Sequence, residues 1–141
     1  MNAQLQSAQP VSDAAYPPSA RLRILWADDD EIVRRLGRAI LTGAGHEVTL
    51  VKDGREAVEE LAAGPDRWDV LITDHDMPRI DGLMLVRQLP HLRFAGRVIV
   101  VSGSIDEPLA ISYRQCGVEA ILAKPFDPQA LIAVVASGSD S

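Results

Sequence analysis

The amino-acid sequence predicts an α/β domain: a doubly wound five-stranded parallel sheet with helices on both faces. Three observations predict it. Five short runs of Val, Ile, Leu and Ala recur along the chain, each apolar throughout, as strands covered on both faces must be. A segment with apolar residues at helical spacing follows each run. Gly, Pro and Asp punctuate the junctions, where helix caps and tight turns need them.

Leu22 to Ala27 is the first strand, and Asp30 to Thr42 the first helix, with Val33, Leu36, Ile40 and Leu41 at the spacing of one apolar face and Gly43 and Gly45 as its stop. Val48 to Val51 is the second strand, closed by Asp53 and Gly54. Arg55 to Ala63 follows as a helix with Val58, Leu61 and Ala62 on one face, ended by Gly64 and Pro65. Val70 to Thr73 is the third strand; the helix from Leu83 to Leu89 is expected to break at Pro90. Val98 to Val101 is the fourth strand, after which Asp106 caps a helix with Pro108 in its first turn and Gly117 beyond its end. Ala120 to Ala123 is the fifth strand, and Asp127 with Pro128 starts a last helix that ends at Ala136. Residues 1–20 hold Pro10, Pro17 and Pro18 among Ala, Gln and Ser, the composition of a disordered tail, and residues 137–141 read the same way. One domain over residues 21–136 remains, with no second domain expected after it.

A chain of 141 residues suits a single core. With aromatics at only 4%, that core must be aliphatic. A net charge of −6 argues against nucleic acid or an anionic membrane as the main partner. The single cysteine, Cys116, excludes an internal disulfide and a thiolate zinc cluster, and is expected to be a small packed hydrophobe. No apolar run nears the ~20 residues of a membrane span, and no basic-then-apolar start is present, so a soluble cytoplasmic domain is expected.

In open parallel sheets ligands bind beyond the carboxyl ends of the strands. There the chain carries Asp28, Asp29 and Asp30 after strand one, and Asp74, His75 and Asp76 after strand three. Ser102, Gly103 and Ser104 follow strand four, and Lys124 and Pro125 follow strand five. Each group alone is ordinary helix-start or turn chemistry. Together, in one crevice, they are not. Crowding Asp28, Asp29 and Asp74 is costly unless a cation joins them, and hard oxygen donors point to Mg²⁺ over Zn²⁺. A metal and a lysine leave a place for one more anion, which a phosphoryl group fits.

The segments ILWADDDEIVR, DVLITDHDMPRIDG, VIVVSG and ILAKPF, in this order over about residues 21–136, resemble the response-regulator receiver family of two-component signalling. The resemblance implies the strand order 2-1-3-4-5. It implies Asp74 as phosphoacceptor, with Mg²⁺ held by Asp29, Asp74, the Asp76 backbone carbonyl and, through water, Asp28. It also implies Lys124 and the Ser102 hydroxyl on phosphoryl oxygens, and a cis peptide before Pro125. The implied donor is a sensor histidine kinase or a histidine phosphotransfer protein. Output is expected by binding to a downstream protein through the Pro108–Cys116 helix, strand five and the last helix, which adjoin Ser102 and Lys124. The chain departs from the family at Ile121, the switch position that often holds an aromatic, and at Asp76, where many members carry a neutral or bulkier side chain.

Two other function classes compete. A phosphohydrolase of the haloacid-dehalogenase type would use Asp28 as nucleophile, but it needs carboxylates after the lysine, where only Asp127 and Asp140 stand. A receiver-like module that is never phosphorylated would not be expected to keep Asp29, Asp74, Ser102 and Lys124 together. A receiver acting as a phosphate sink or shuttle fits the same residues. Among the rest, His46, His75 and His91 lack ligand spacing, His75 is expected to be an exposed neighbour of the acceptor, and Trp68 is expected to pack. Trp26, on the strand face of Asp28, is expected to report metal binding.

Overall fold

The computed structural model describes residues 21–137. The expected tails lie outside the described residues, apart from Ser137, which closes the last helix. The chain alternates β1 (Arg23–Ala27), α1 (Glu31–Gly43), β2 (Glu47–Val51), α2 (Gly54–Ala63), β3 (Val70–Thr73), α3 (Gly82–Leu92), β4 (Arg97–Ser102), α4 (Glu107–Gln115), β5 (Ala120–Ala123) and α5 (Pro128–Ser137). A single 3₁₀ turn, Pro65–Arg67, precedes β3. All strand pairs are parallel, in the order β2-β1-β3-β4-β5.

Each of the five α-helices among the described residues starts on an aspartate. Asp30, Asp53, Asp81 and Asp106 each accept backbone N–H bonds of the first turn, and Asp127 Oδ2 accepts from Ala130 N at 3.0 Å. Burial on both faces fixes the strand composition: β1 is buried from Ile24 to Ala27 and β3 throughout. Leu25, Leu71, Leu85 and Val100 build one core, and Ile24, Trp26, Ile72, Val101 and Leu131 the other, on the opposite side of the sheet. β2 lies at the edge, and its first four residues alternate between exposed and half-buried, unlike the inner strands. At the far edge Arg97 donates to Glu119 Oε1 at 2.7 Å and to the carbonyls of Val134 and Val135 at 3.1 and 2.9 Å. It thereby caps α5 and ties it to β4.

Four expectations are corrected. α3 runs through Pro90 to Leu92, because proline's φ suits a helix and only one bond is lost, while Arg93 in the left-handed region (φ 61°) closes the end with its N–H on Leu89 and Pro90. Leu36 is 49% exposed; α1 instead turns Gly37 inward, where a Cβ would collide with the Trp26 ring. On α2 the inward residues are Gly54, Ala57 and Leu61, and Ala62 faces solvent. Cys116 is exposed, because it serves as the backbone C-cap of α4 with its N–H on Ser112 and Tyr113. Trp68 packs against the core as expected.

His46 is buried and its Nδ1 accepts the Leu22 N–H at 3.1 Å, fixing the entry to β1. Burial, then the charge of Arg97, lowers its pKa from 6.5. The unfolded chain therefore binds the proton more readily below that value, so stability present above pH 6.5 falls as the pH drops toward the folded pKa. Urea midpoints between pH 5 and 7 are expected to decline on the acid side, and His46→Asn, which keeps an acceptor in the Nδ1 position, is expected to flatten that slope.

Candidate functional site

Strand register brings the acidic residues together. Ala27 on β1 pairs with Thr73 on β3, so Asp28 and Asp74 leave the sheet side by side, with Asp28 N–H on Val51 O and Asp74 N–H on Ala27 O. Ser102 pairs with Ala123 across β4 and β5, which sets Lys124 one residue beyond, its N–H on Ser102 O at 3.0 Å. The Lys124–Pro125 peptide is cis.

Lys124 Nζ lies 3.0 Å from Asp28 Oδ2 and 3.3 Å from Asp74 Oδ2. Asp28 is 0% exposed, Asp74 4% and Ser102 2%, whereas Asp29 is open to solvent. Asp28 Oδ1 accepts the Asp30 N–H at 3.0 Å, Arg34 reaches the Asp28 carbonyl at 2.7 Å, and Asp74 Oδ1 accepts the His75 N–H at 2.8 Å. Each of three adjacent aspartates has a separate part: Asp28 is the buried charge, Asp29 the exposed one, and Asp30 the helix cap.

Two buried carboxylates face one ammonium. Burial, then the charge of Asp28, pushes the Asp74 carboxyl up, against the opposing pull of Lys124. Burial pulls the Lys124 ammonium down, but Asp28 and then Asp74 outweigh it and leave its pKa raised. Oxygens of Asp28, Asp29 and Asp74 lie within 4.8 Å of one another. These hard donors, without thiolate or imidazole and with an exposed member where water can stay bound, fit Mg²⁺.

Most expected site residues therefore converge: Asp28, Asp29, Asp74 and Lys124 in the crevice, with Ser102 on the neighbouring strand end. Asp76 is exposed in the loop, its Oδ2 3.4 Å from Ser104 Oγ, and Ile121 is half-buried on β5. His75 departs from expectation. It is half-buried and its Nδ1 lies 2.6 Å from the Tyr113 hydroxyl. That pair, 38 residues apart, has no sequence signal, since only tertiary packing joins it. Trp26 lies under the site against Phe126, ring centroids 6.0 Å apart.

A doubly wound domain with a lysine-closed acidic crevice at its switch point defines a class, and sequence comparison gives its family. The chain belongs to the response regulator receiver domain family, whose sequence model matches residues 24–136. It is 36% identical to the response regulator MprA of Mycolicibacterium vanbaalenii over 112 residues, 79% of this chain and 48% of that protein. It is also 36% identical to the DNA-binding transcriptional regulator NtrC of Escherichia coli over 113 residues, 79% of this chain and 24% of that protein. The chain thus spans about half or less of the length of these relatives. A response regulator receiver protein from Pseudomonas putida superposes with a TM-score of 0.75 at 30% identity, over 82% of this chain and 95% of that one. The chemotaxis protein CheY4 of Vibrio cholerae does so at 0.74 and 26%, over 82% and 96%.

Asp74→Asn removes one charge from a site with too many. It is expected to raise the melting temperature of the metal-free protein by about 3–6 °C, the shift that ~1 kcal/mol gives a domain of this size. Millimolar Mg²⁺ is expected to raise the wild-type midpoint, and to raise those of Asp74→Asn and Asp29→Ala far less. Thermal scans with and without Mg²⁺ check both.

Proposed function

We propose that this chain is a receiver that accepts a phosphoryl group on Asp74 from a phosphohistidine protein in a cytoplasmic, Mg²⁺-dependent phosphorelay, with output by binding a downstream protein. The observation that carries the reading is the buried pairing of Asp74 and Asp28 with Lys124 at the carboxyl ends of β1, β3 and β5.

In this reading an Asp74 oxygen attacks phosphorus in line and the P–N bond of the phosphohistidine breaks. The departing ring nitrogen keeps the electron pair and takes up a proton, and Asp74 becomes an acyl phosphate. Lys124, already within reach of Asp74, binds one phosphoryl oxygen, and the Ser102 hydroxyl donates to another. Mg²⁺ held by Asp29, Asp74 and the Asp76 carbonyl, with Asp28 through water, would supply the remaining neutralisation of charge. The protein's share is positioning: no side chain here has to act as a strong base.

A cleft of about 340 Å³ between α4 and β5 is lined by Ser102, Ile105, Ala110, Arg114 and Ile121, so Ser102 and the switch position Ile121 border one space. Ser102 moving toward the phosphoryl group would free room that Ile121, branched and stiff, fills without exchanging a hydrogen bond. This supports a modest change on the face formed by α4, β5 and α5. The phosphohydrolase reading is weaker: of the carboxylates after Lys124, Asp127 is occupied in capping α5, and Asp140 lies outside the described residues.

Acetyl phosphate with Mg²⁺ is expected to add one phosphoryl mass, labile to hydroxylamine and mapping to Asp74. Lys124→Ala is expected to keep metal binding and lose most of the labelling. Equal labelling of Asp74→Asn, or an adduct on Asp28, contradicts the assignment.

A further inference from the structure

The phosphoryl chemistry uses the open side of Asp74; behind it, three elements meet. Tyr113 on the inner face of α4 is 0% exposed, and its hydroxyl lies 2.6 Å from His75 Nδ1, the rings edge to face with centroids 5.7 Å apart. His75 follows Asp74 directly. Its N–H holds Asp74 Oδ1 at 2.8 Å, and its carbonyl accepts from Met77 N at 3.1 Å and Gly82 N at 2.9 Å. Gly82 opens α3 at the same point: a Cβ there would lie 2.5 Å from both the Tyr113 hydroxyl and the Asp74 carbonyl oxygen.

A buried phenol needs a hydrogen-bond partner, and this one has His75. Burial, followed by the charges of Asp81, Asp74 and Asp76, raises the Tyr113 pKa and keeps the phenol protonated, so the hydroxyl and His75 Nδ1 share one hydrogen bond. One continuous path then runs from α4 through the phenol and the His75 ring to the His75 N–H and one oxygen of Asp74. Acyl phosphate formation removes the carboxylate's charge, and a neutral carbonyl accepts the His75 N–H more weakly than an ionised carboxylate does. The path therefore has a reason to respond to the state of Asp74.

Resting on the reading of Asp74 as phosphoacceptor, we propose that Tyr113 is a positioning residue that couples α4 to the Asp74 carboxylate through His75. This gives the domain an output route that does not pass through Ile121. On the outer side of the same helix Ile111 is 44% exposed, so a movement of Tyr113 is carried to a surface that a partner protein can touch. By linkage, a partner that prefers one position of α4 changes the ease of phosphorylating Asp74 by the same factor.

The test is hydrogen exchange over residues 107–115, with and without beryllofluoride and Mg²⁺, in wild type, Tyr113→Phe, His75→Leu and His75→Asn. Intact mass after acetyl phosphate is read in parallel. Tyr113→Phe keeps the ring in its place, and His75→Asn keeps a hydrogen-bonding group in the Nδ1 position. The expected result is an exchange response in wild type and His75→Asn that shrinks about fivefold in Tyr113→Phe and His75→Leu, the effect of one lost buried hydrogen bond. All four proteins are expected to be labelled on Asp74. A full α4 response in Tyr113→Phe and His75→Leu, with Asp74 labelled, overturns the coupling and leaves the proposed function standing. Absence of label on Asp74 in wild type overturns both.

Discussion

The ammonium of Lys124, 3.0 Å from Asp28 and 3.3 Å from Asp74, is the contact on which the rest of the site depends. Two carboxylates that are almost wholly buried repel each other and lose their hydration, and one cation offsets only part of that cost. The fold holds them there because the surrounding structure leaves no alternative. β1 and β3 are hydrogen-bonded in a register that places residues 28 and 74 side by side, and both cores of the sheet are sealed around them. The remaining negative charge is a standing preference for a hard cation, and then for a group that brings its own anion to that cation.

Parallel topology explains why these groups share one end of the molecule. Every strand runs the same way, so residues that follow strands gather at one edge, while the returning helices and the Arg97 cap of α5 lie away from it. The aspartates divide between two tasks by local geometry. Asp30, Asp53, Asp81 and Asp106, each one residue before a helix, cap its first turn, and Asp28 and Asp74, each one residue after a strand, enter the crevice with Asp29 beside them. Loop geometry adds the third constraint, because the segment after β3 is pinned at His75 by Met77, Gly82 and Tyr113.

Much of this was legible in the sequence. β3 and β5 have the expected bounds, because short apolar runs bounded by turn residues leave no other reading, and Asp74 and Lys124 were visible as strand-end residues. The strand order came by family resemblance, not by local pattern. What local patterns could not show is where tertiary contacts decide. Helical spacing placed Leu36 inward as readily as Gly37, and only the bulk of Trp26 against α1 selects the glycine. Pro90 carries a stop signal that Leu89 and Phe94 override by packing into the core. His75 and Tyr113, 38 residues apart, carry no mutual signal at all until α4 is folded against the β3–α3 loop.

The central claim is that Lys124 compensates Asp28 and Asp74 jointly, and a double-mutant cycle in metal-free protein tests it most directly. Denaturant unfolding would be measured for wild type, Lys124→Gln, Asp74→Asn and the double variant. Removing the ammonium alone strands two buried carboxylates and is predicted to cost about 3 kcal/mol or more. In the Asp74→Asn background one stranded charge is gone, and the same substitution is predicted to cost clearly less, with Mg²⁺ narrowing the difference. Costs that add independently, unchanged by Asp74→Asn and by Mg²⁺, would contradict the claim that one shared charge balance holds this crevice together.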